Sequence, residues 1–256
     1  MPWERGGGAE GPGDEMMDGD RIRTYIRGFD EHLEGGIPKG HVVLVSGTPG
    51  TMKSSITWNI LWHNALSDGR KCLYLSLEQS ERSILEQMGR LGMGMDGLTG
   101  KGTLSIIDLG AIRAEMARAE IESDKENWGK VVLGLVGENQ KKGLDILAID
   151  SLDAYELLFE RSLTRNEMFQ FFEWLRHLDI TVMLIAEMSP DSNRFSKYDE
   201  SFLADGIVHL KLAEISDVDV QRRIRCVKMR GTRHAPGYHS LLVEGGQFAI
   251  TKAILE

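Results

Sequence analysis

The sequence predicts an α/β fold: a mostly parallel sheet flanked by helices, with antiparallel strands at its C-terminal end. Three observations carry this expectation. Short apolar runs that read as buried strands, such as Thr181-Val-Met-Leu-Ile-Ala186, alternate with stretches of helical periodicity. Beyond residue 206 the apolar runs follow one another with no helix between them. The last two are joined by Glu244-Gly-Gly246, a hairpin signal. Repeated β–α units favour parallel pairing and terminal hairpins favour an antiparallel edge.

In chain order, the first clear strand is 41–46, running into a glycine-rich turn and a helix from Ser54 to about Leu66. A strand at 71–77 precedes Ser80, which is placed to cap a helix reaching about Leu91. Strands are expected at 103–108 and 144–150, with a polar helix at 111–123 and a second helical stretch near 129–142 between them. Thr164-Arg-Asn-Glu167 is a capping box, after which Met168, Phe171, Phe172, Leu175 and Leu178 share one helix face. Strands at 180–186, 206–212, 222–228, 240–243 and 247–250 complete the set.

Length and composition bound the function. A chain of 256 residues with 41% apolar content suits one large domain and excludes wholesale disorder. Its apolar stretches fall far short of the roughly 20 residues that span a bilayer, so no membrane partner is expected. No charged-then-apolar leader opens the chain, and Cys72 and Cys226 sit far apart inside apolar runs. They read as buried free thiols of a cytoplasmic protein. Residues 1–20 carry six acids, one base and six glycines, and read as a disordered acidic tail ahead of a single domain over 21–256. The net charge of −9 argues against a general nucleic-acid-coating protein. Against that sum, 222–233 holds six basic residues and no acid, which taken alone is a solvated edge strand.

The chemistry begins where the first strand ends. Gly47, Thr48, Pro49, Gly50, Thr51, Met52, Lys53 and Ser54 follow the phosphate-loop pattern G-x-x-x-x-G-K-[ST], with Met52 where the second glycine belongs. In such a loop, backbone N–H groups and a helix N-terminus converge on the β-phosphate, the lysine reaches the β/γ oxygens, and the hydroxyl binds Mg²⁺. Ser55 continues the contact into the helix. Met52 is expected to be helical, its N–H still facing phosphate while the thioether finds room beside the loop. Asp150 ends a strand, where it can hold the Mg²⁺ water shell beside Ser54. Glu78 ends another, in the crevice where open α/β sheets bind ligands, and is the candidate base for an attacking water.

These residues, in this order, resemble a single-domain archaeal KaiC-like ATPase of the RecA superfamily. The resemblance covers roughly 24–250. It begins at Gly28-Phe-Asp30 and Leu33-Glu-Gly-Gly-Ile-Pro38 and continues through the phosphate loop, Leu75-Ser-Leu-Glu-Gln-Ser80 and the strand ending in Asp150-Ser151. Ala204-Asp-Gly206 and then Lys228-Met-Arg-Gly-Thr-Arg-His234 follow, the latter resembling the K-x-R-G-T-x-H signature. The resemblance implies a RecA-like P-loop core, ATP and Mg²⁺ at the loop, and homo-oligomeric, hexameric rings that signal through an unidentified protein partner. In such rings Lys228 and Arg230, joined by His234, reach the γ-phosphate bound by the neighbouring subunit.

Departures from the family qualify this. Two adjacent glutamates are common after the third motif strand, and here they are Glu78 and Gln79. Where the phosphorylated half of cyanobacterial KaiC carries adjacent serine and threonine, this chain has Ser201 and Phe202, so any autokinase activity is expected to be weak. Two alternatives stay open. One is a DNA-binding ATPase like the RecA and RadA paralogues, with Arg194 and Lys197 in a DNA loop. The other is a non-catalytic ATP sensor, suggested by Met52 and Gln79.

Overall fold

The computed structural model describes residues 21–98, 103–118, 128–157, 164–189, 194–196 and 200–253. The acidic segment 1–20, the end of the expected helix 111–123, and Lys197 lie outside the described residues.

Strands β1 (Arg21–Ile22) and β2 (Ile37–Pro38) form a small antiparallel pair ahead of the main sheet. The phosphate-loop unit follows as β3 (Val42–Gly47) and α1 (Lys53–Ser67), then β4 (Cys72–Ser76) and α2 (Glu81–Arg90). Next come β5 (Leu104–Asp108), α3 (Leu109–Arg118), α4 (Trp128–Lys141), β6 (Ile146–Asp150) and α5 (Leu152–Leu157). Helix α6 (Arg165–His177) leads into β7 (Thr181–Glu187). The chain ends in β8 (Gly206–Glu214), β9 (Val220–Met229), β10 (His239–Glu244) and β11 (Gln247–Lys252).

Nine of these strands make one sheet in the order β11-β10-β9-β8-β3-β7-β6-β4-β5. Pairing is parallel from β8 to β5 and antiparallel from β8 to β11, as the element pattern predicts. The central strands bury both faces because each alternates between two apolar layers. Val43 and Val45 face the layer that holds Ile56, Trp58 and Leu61 of α1. Val42 and Leu44 face the layer that holds Val132 and Val136 of α4 and Phe172 and Leu175 of α6. Each such side chain contributes roughly 2 kcal/mol on burial, so a one-residue slip of β3 is prohibitive and its end is held in place.

The local signals are realised. Ser80 caps α2 by accepting from the Ser83 N–H, and the Thr164–Glu167 capping box is complete in both directions. Gly245 and Gly246 both take positive φ in the two-residue turn that pairs Glu244 with Gln247. Cys72 and Cys226 are buried and free. No helix among the described residues is long and apolar enough to cross a membrane.

One expectation is corrected. The basic run is not an edge strand: β9 pairs with β8 along its length and with β10 at Arg223 and Ile224. It carries buried Ile224, Cys226 and Met229 between its cations, and burial of that apolar face recruits the strand into the sheet.

Candidate functional site

Parallel pairing brings the C-terminal ends of β3, β4, β6 and β7 to one edge. Gly47 pairs with Glu187, and Ser76 with Asp150, so four functional segments emerge side by side. A cavity of about 300 Å³ opens there between the 49–55 segment and Glu78, Asp150, Ser151 and Glu187.

The loop is shaped by close approach. A Cβ on Gly47 would lie 2.5 Å from the Leu210 carbonyl oxygen, which leaves room only for glycine. The Thr51 hydroxyl donates to the Thr48 carbonyl at 2.8 Å and closes the turn. Gly50 sits at φ +80°. Met52 does not enter the helix as expected but precedes it at φ +73°, ψ +30°, in the left-handed region. The loop reverses direction there, which is the conformational reason the pattern has glycine at this position. The methionine side chain offsets part of the strain by packing, half-buried, against the apolar layer under α1. At the start of α1 no side chain caps the first turn and no acid lies in it, so its N-terminal N–H groups and dipole are left for an anion.

Lys53 is buried, and its Nζ donates to the carbonyls of Gly47 at 2.9 Å and Thr48 at 3.1 Å. It also stands 3.5 Å from the Glu187 carboxylate. Asp150 is buried at the end of β6, where the Tyr74 hydroxyl donates to its Oδ2 at 2.5 Å. Burial pushes the Asp150 carboxyl above its ordinary range, while hydrogen bonds from the Tyr74 and Ser54 hydroxyls act in the opposite sense. A hard dication is the partner that such a desolvated carboxylate and an adjacent hydroxyl suit, so the donor set of Ser54 and Asp150 fits Mg²⁺. Glu78 lies two residues beyond the end of β4, and its Oε1 accepts from the Ser151 hydroxyl. That hydroxyl in turn accepts from the Ala154 N–H at 3.2 Å, which anchors it at the first turn of α5. Gln79 also lines the cavity, its side-chain oxygen accepting from Gln87 at 3.2 Å.

Lys228, Arg230 and His234 are not part of this constellation. Gly206 pairs with both Val43 and Met229, whereas Gly47 pairs with Leu210. Lys228 and Arg230 therefore lie about 13 Å, or four strand residues, from the phosphate-loop end, at the opposite edge of the sheet. They do not converge within the chain. Lys228 donates to the carbonyls of Ala204 at 2.6 Å and Phe202 at 3.3 Å. Arg230 pairs with Asp205 at 2.6 Å, and His234 is held 3.2 Å from the Thr232 carbonyl. Ser201 lies beside them, its carbonyl 3.5 Å from the Lys228 ammonium.

Sequence reasoning missed four participants: Tyr74, Ser151, Asp153 and Glu187. Glu187 ends a parallel strand just as Glu78 follows one, so the same rule could have found it. The Glu187 N–H is tied to Asp153 at 2.7 Å. Tyr74 sits mid-strand among apolar residues and carries no local signal.

Met52 offers a direct test of the loop. Met52→Ala removes the thioether packing and keeps the left-handed penalty, whereas Met52→Gly relieves the penalty too. The glycine variant is expected to be about 1 kcal/mol more stable than the alanine variant in denaturant unfolding, with ATP binding retained in both. An alanine variant as stable as the glycine one means that the backbone is not held left-handed.

The comparisons with known proteins agree with this architecture. A family model described as "ATPase: KaiC" matches residues 22–253. A UPF0273 protein of Aeropyrum pernix is 30% identical over 223 residues, covering 86% of this chain and 89% of that one. A second, from Thermotoga maritima, is also 30% identical, covering 86% and 90%. The circadian clock oscillator protein KaiC of Picosynechococcus is 28% identical over 87% of this chain, which corresponds to 43% of that protein. The crystal structure of a KaiC-like protein from Pyrococcus horikoshii superposes with a TM-score of 0.75 at 24% identity, covering 90% of this chain and 98% of that one, a likeness of fold. With its parallel core, phosphate loop and strand-end carboxylates, the chain belongs to the KaiC family of ATPases.

Proposed function

We propose that the chain binds Mg-ATP at residues 47–55 and hydrolyses it, and that it does so in a homo-oligomeric ring that acts as a regulatory ATPase on a protein partner. The observation that supports this reading best is the convergence of Lys53, Ser54, Asp150 and Glu78 on one cavity beside an uncapped helix N-terminus. The β-phosphate takes the N–H groups at the start of α1. The triphosphate replaces the loop carbonyls and Glu187 as partner of the Lys53 ammonium. Ser54 and Asp150 would hold Mg²⁺, which would supply neutralisation of the phosphate charge. Glu78, oriented by Ser151, takes a proton from water as the water oxygen bonds to the γ-phosphorus and the bond to the bridging oxygen of ADP breaks. Inorganic phosphate and ADP leave.

Lys228, Arg230 and His234 do not meet the phosphate loop of their own chain. Lys228, Arg230 and His234 lie at the opposite edge of the sheet, where a head-to-tail neighbour can present them to the next phosphate loop. Assembly therefore completes the site. Measuring phosphate release with Mg-ATP, alongside particle size with and without nucleotide, tests both halves. The expected result is turnover accompanied by ATP-favoured assembly, because a ligand gripped from both sides stabilises the interface by linkage. Tight ATP binding with no phosphate release identifies a sensor instead, and absence of ATP binding removes the reading.

A further inference from the structure

Tyr74 takes no part in the steps described above, yet it is joined to them through Asp150. Strand β4 alternates between the two apolar layers. Leu73 and Leu75 face the layer under α4 and α6, while Cys72 and Tyr74 face the layer under α1. The Tyr74 ring is wholly buried there, in an edge contact with the Trp58 ring at 5.5 Å. It stands opposite Ala148 in the β4–β6 ladder, whose small side chain leaves the ring space on that face. Two residues further along β6, on the same face, comes Asp150. The Tyr74 hydroxyl donates to Asp150 Oδ2 at 2.5 Å, and the Ser54 hydroxyl bonds to the same pair.

Packing does not require this hydroxyl. Phenylalanine has the same ring and would fill the same apolar space, whereas a buried phenol must be given a partner. The partner here is the carboxylate suited to a cation. A carboxylate has two oxygens and can offer a cation one or both. The charge-assisted bond from Tyr74 engages Oδ2 from the buried side, so Oδ1 is the oxygen left for a cation or for water bound to one. That difference matters to the ion. Mg²⁺ demands near-octahedral geometry with single oxygens at about 2.0–2.1 Å. Ca²⁺ takes roughly six to eight oxygens at about 2.3–2.6 Å and readily clasps both oxygens of one carboxylate. Such a clasp needs Oδ2, which Tyr74 holds.

We propose that Tyr74 is a positioning residue for the cation: it restricts Asp150 to one free oxygen and thereby favours Mg²⁺ over Ca²⁺ at the site. The inference rests on the Mg-ATP reading of the cavity given above. With no exposed surface, Tyr74 acts only through Asp150 and not by touching nucleotide. Its hydroxyl sets which cation the site prefers, and its ring serves the core.

The test measures binding, not turnover: the affinity of the full chain for methylanthraniloyl-labelled ATP, at saturating Mg²⁺ and separately at saturating Ca²⁺. The parent is expected to bind the Mg²⁺ complex more tightly. Tyr74→Phe should narrow the ratio of the two affinities by roughly 10-fold, the scale of one hydrogen bond to a charged group, chiefly by tightening the Ca²⁺ complex. Incorporating 3-fluorotyrosine at position 74 gives a stronger donor of nearly the same shape and should widen the ratio. Tyr25→Phe removes a bond of the same kind, 2.8 Å long, to Asp68 at the other end of α1, and should leave the ratio unchanged. Melting curves accompany each variant. If Tyr74→Phe folds and keeps the parental ratio, or weakens both complexes equally, Tyr74 only fills the core and the proposal is overturned. If Tyr74→Phe does not fold, the fluorotyrosine chain decides, and an unchanged ratio there overturns it. A parent that binds neither complex removes the Mg-ATP reading and this proposal with it. A parent that binds both complexes equally, or that prefers Mg²⁺ while its variants leave the ratio unmoved, removes this proposal alone.

Discussion

A chain carrying Lys228→Ala and Arg230→Ala is expected to lose ATP hydrolysis by about 10³-fold or more, the scale on which arginine fingers act in other phosphate-loop enzymes. The loss should be recovered in part on mixing with a Lys53→Ala chain. The reason lies in the ladder of β8 with its two neighbours. Because Gly206 pairs with Val43 at one edge and Leu210 with Gly47 at the other, the two cations cannot reach their own phosphate loop without unpairing the sheet. In the proposed ring the double variant keeps an intact loop, Glu78 and Asp150, and is expected to spoil only the site next to it. The Lys53→Ala chain has the converse defect, since it loses the buried ammonium proposed to bind the phosphates. Mixed rings contain some interfaces with a good loop on one side and good cations on the other, and those interfaces turn over. Lys228 also ties down the carbonyls of Phe202 and Ala204, so the variant needs a melting curve beside its rate. Rescue on mixing separates lost chemistry from lost folding, because an unfolded chain rescues nothing. A protein that stays monomeric with ATP, hydrolyses it, and shows no rescue refutes the shared site.

Glu78→Gln is expected to leave ATP bound and lower hydrolysis by roughly 10²-fold or more, the usual scale for removal of a general base. The amide is nearly isosteric and can still engage the Ser151 hydroxyl, so cavity shape and nucleotide affinity are retained. Only the capacity to take a proton disappears. Single-turnover phosphate release with bound nucleotide measured in parallel makes the distinction. Hydrolysis at the parental rate moves the base elsewhere, and the structure names the alternative: Glu187, 3.5 Å from Lys53 at the end of the neighbouring strand.

What the sequence by itself determined is everything written in contiguous residues. The loop at 47–54, the Ser80 cap, the Thr164–Glu167 capping box and the Glu244–Gln247 hairpin each depend on side chains a few positions apart. Composition and spacing state such interactions directly. The strand-end placement of Asp150 and the sheet's change from parallel to antiparallel pairing were legible for the same reason, since the period of the apolar pattern and the connections between strands are local properties.

Tertiary structure alone decided three other matters. Met52 was expected in the helix and lies ahead of it in the left-handed region, because the reversal from β3 into α1 sets its backbone and the apolar layer receives its side chain. Tyr74, Ser151 and Glu187 joined the site because β4, β6 and β7 lie adjacent in the sheet, although their sequence separation is large. The pairing registers of β8 with β3 and β9 then put Lys228 and Arg230 at one edge of the molecule and Arg223 and Arg225 toward the other. A single basic run in the sequence became two separate surfaces. Strand register is fixed by which apolar side chains from distant segments are buried together, and no stretch of sequence contains that information by itself.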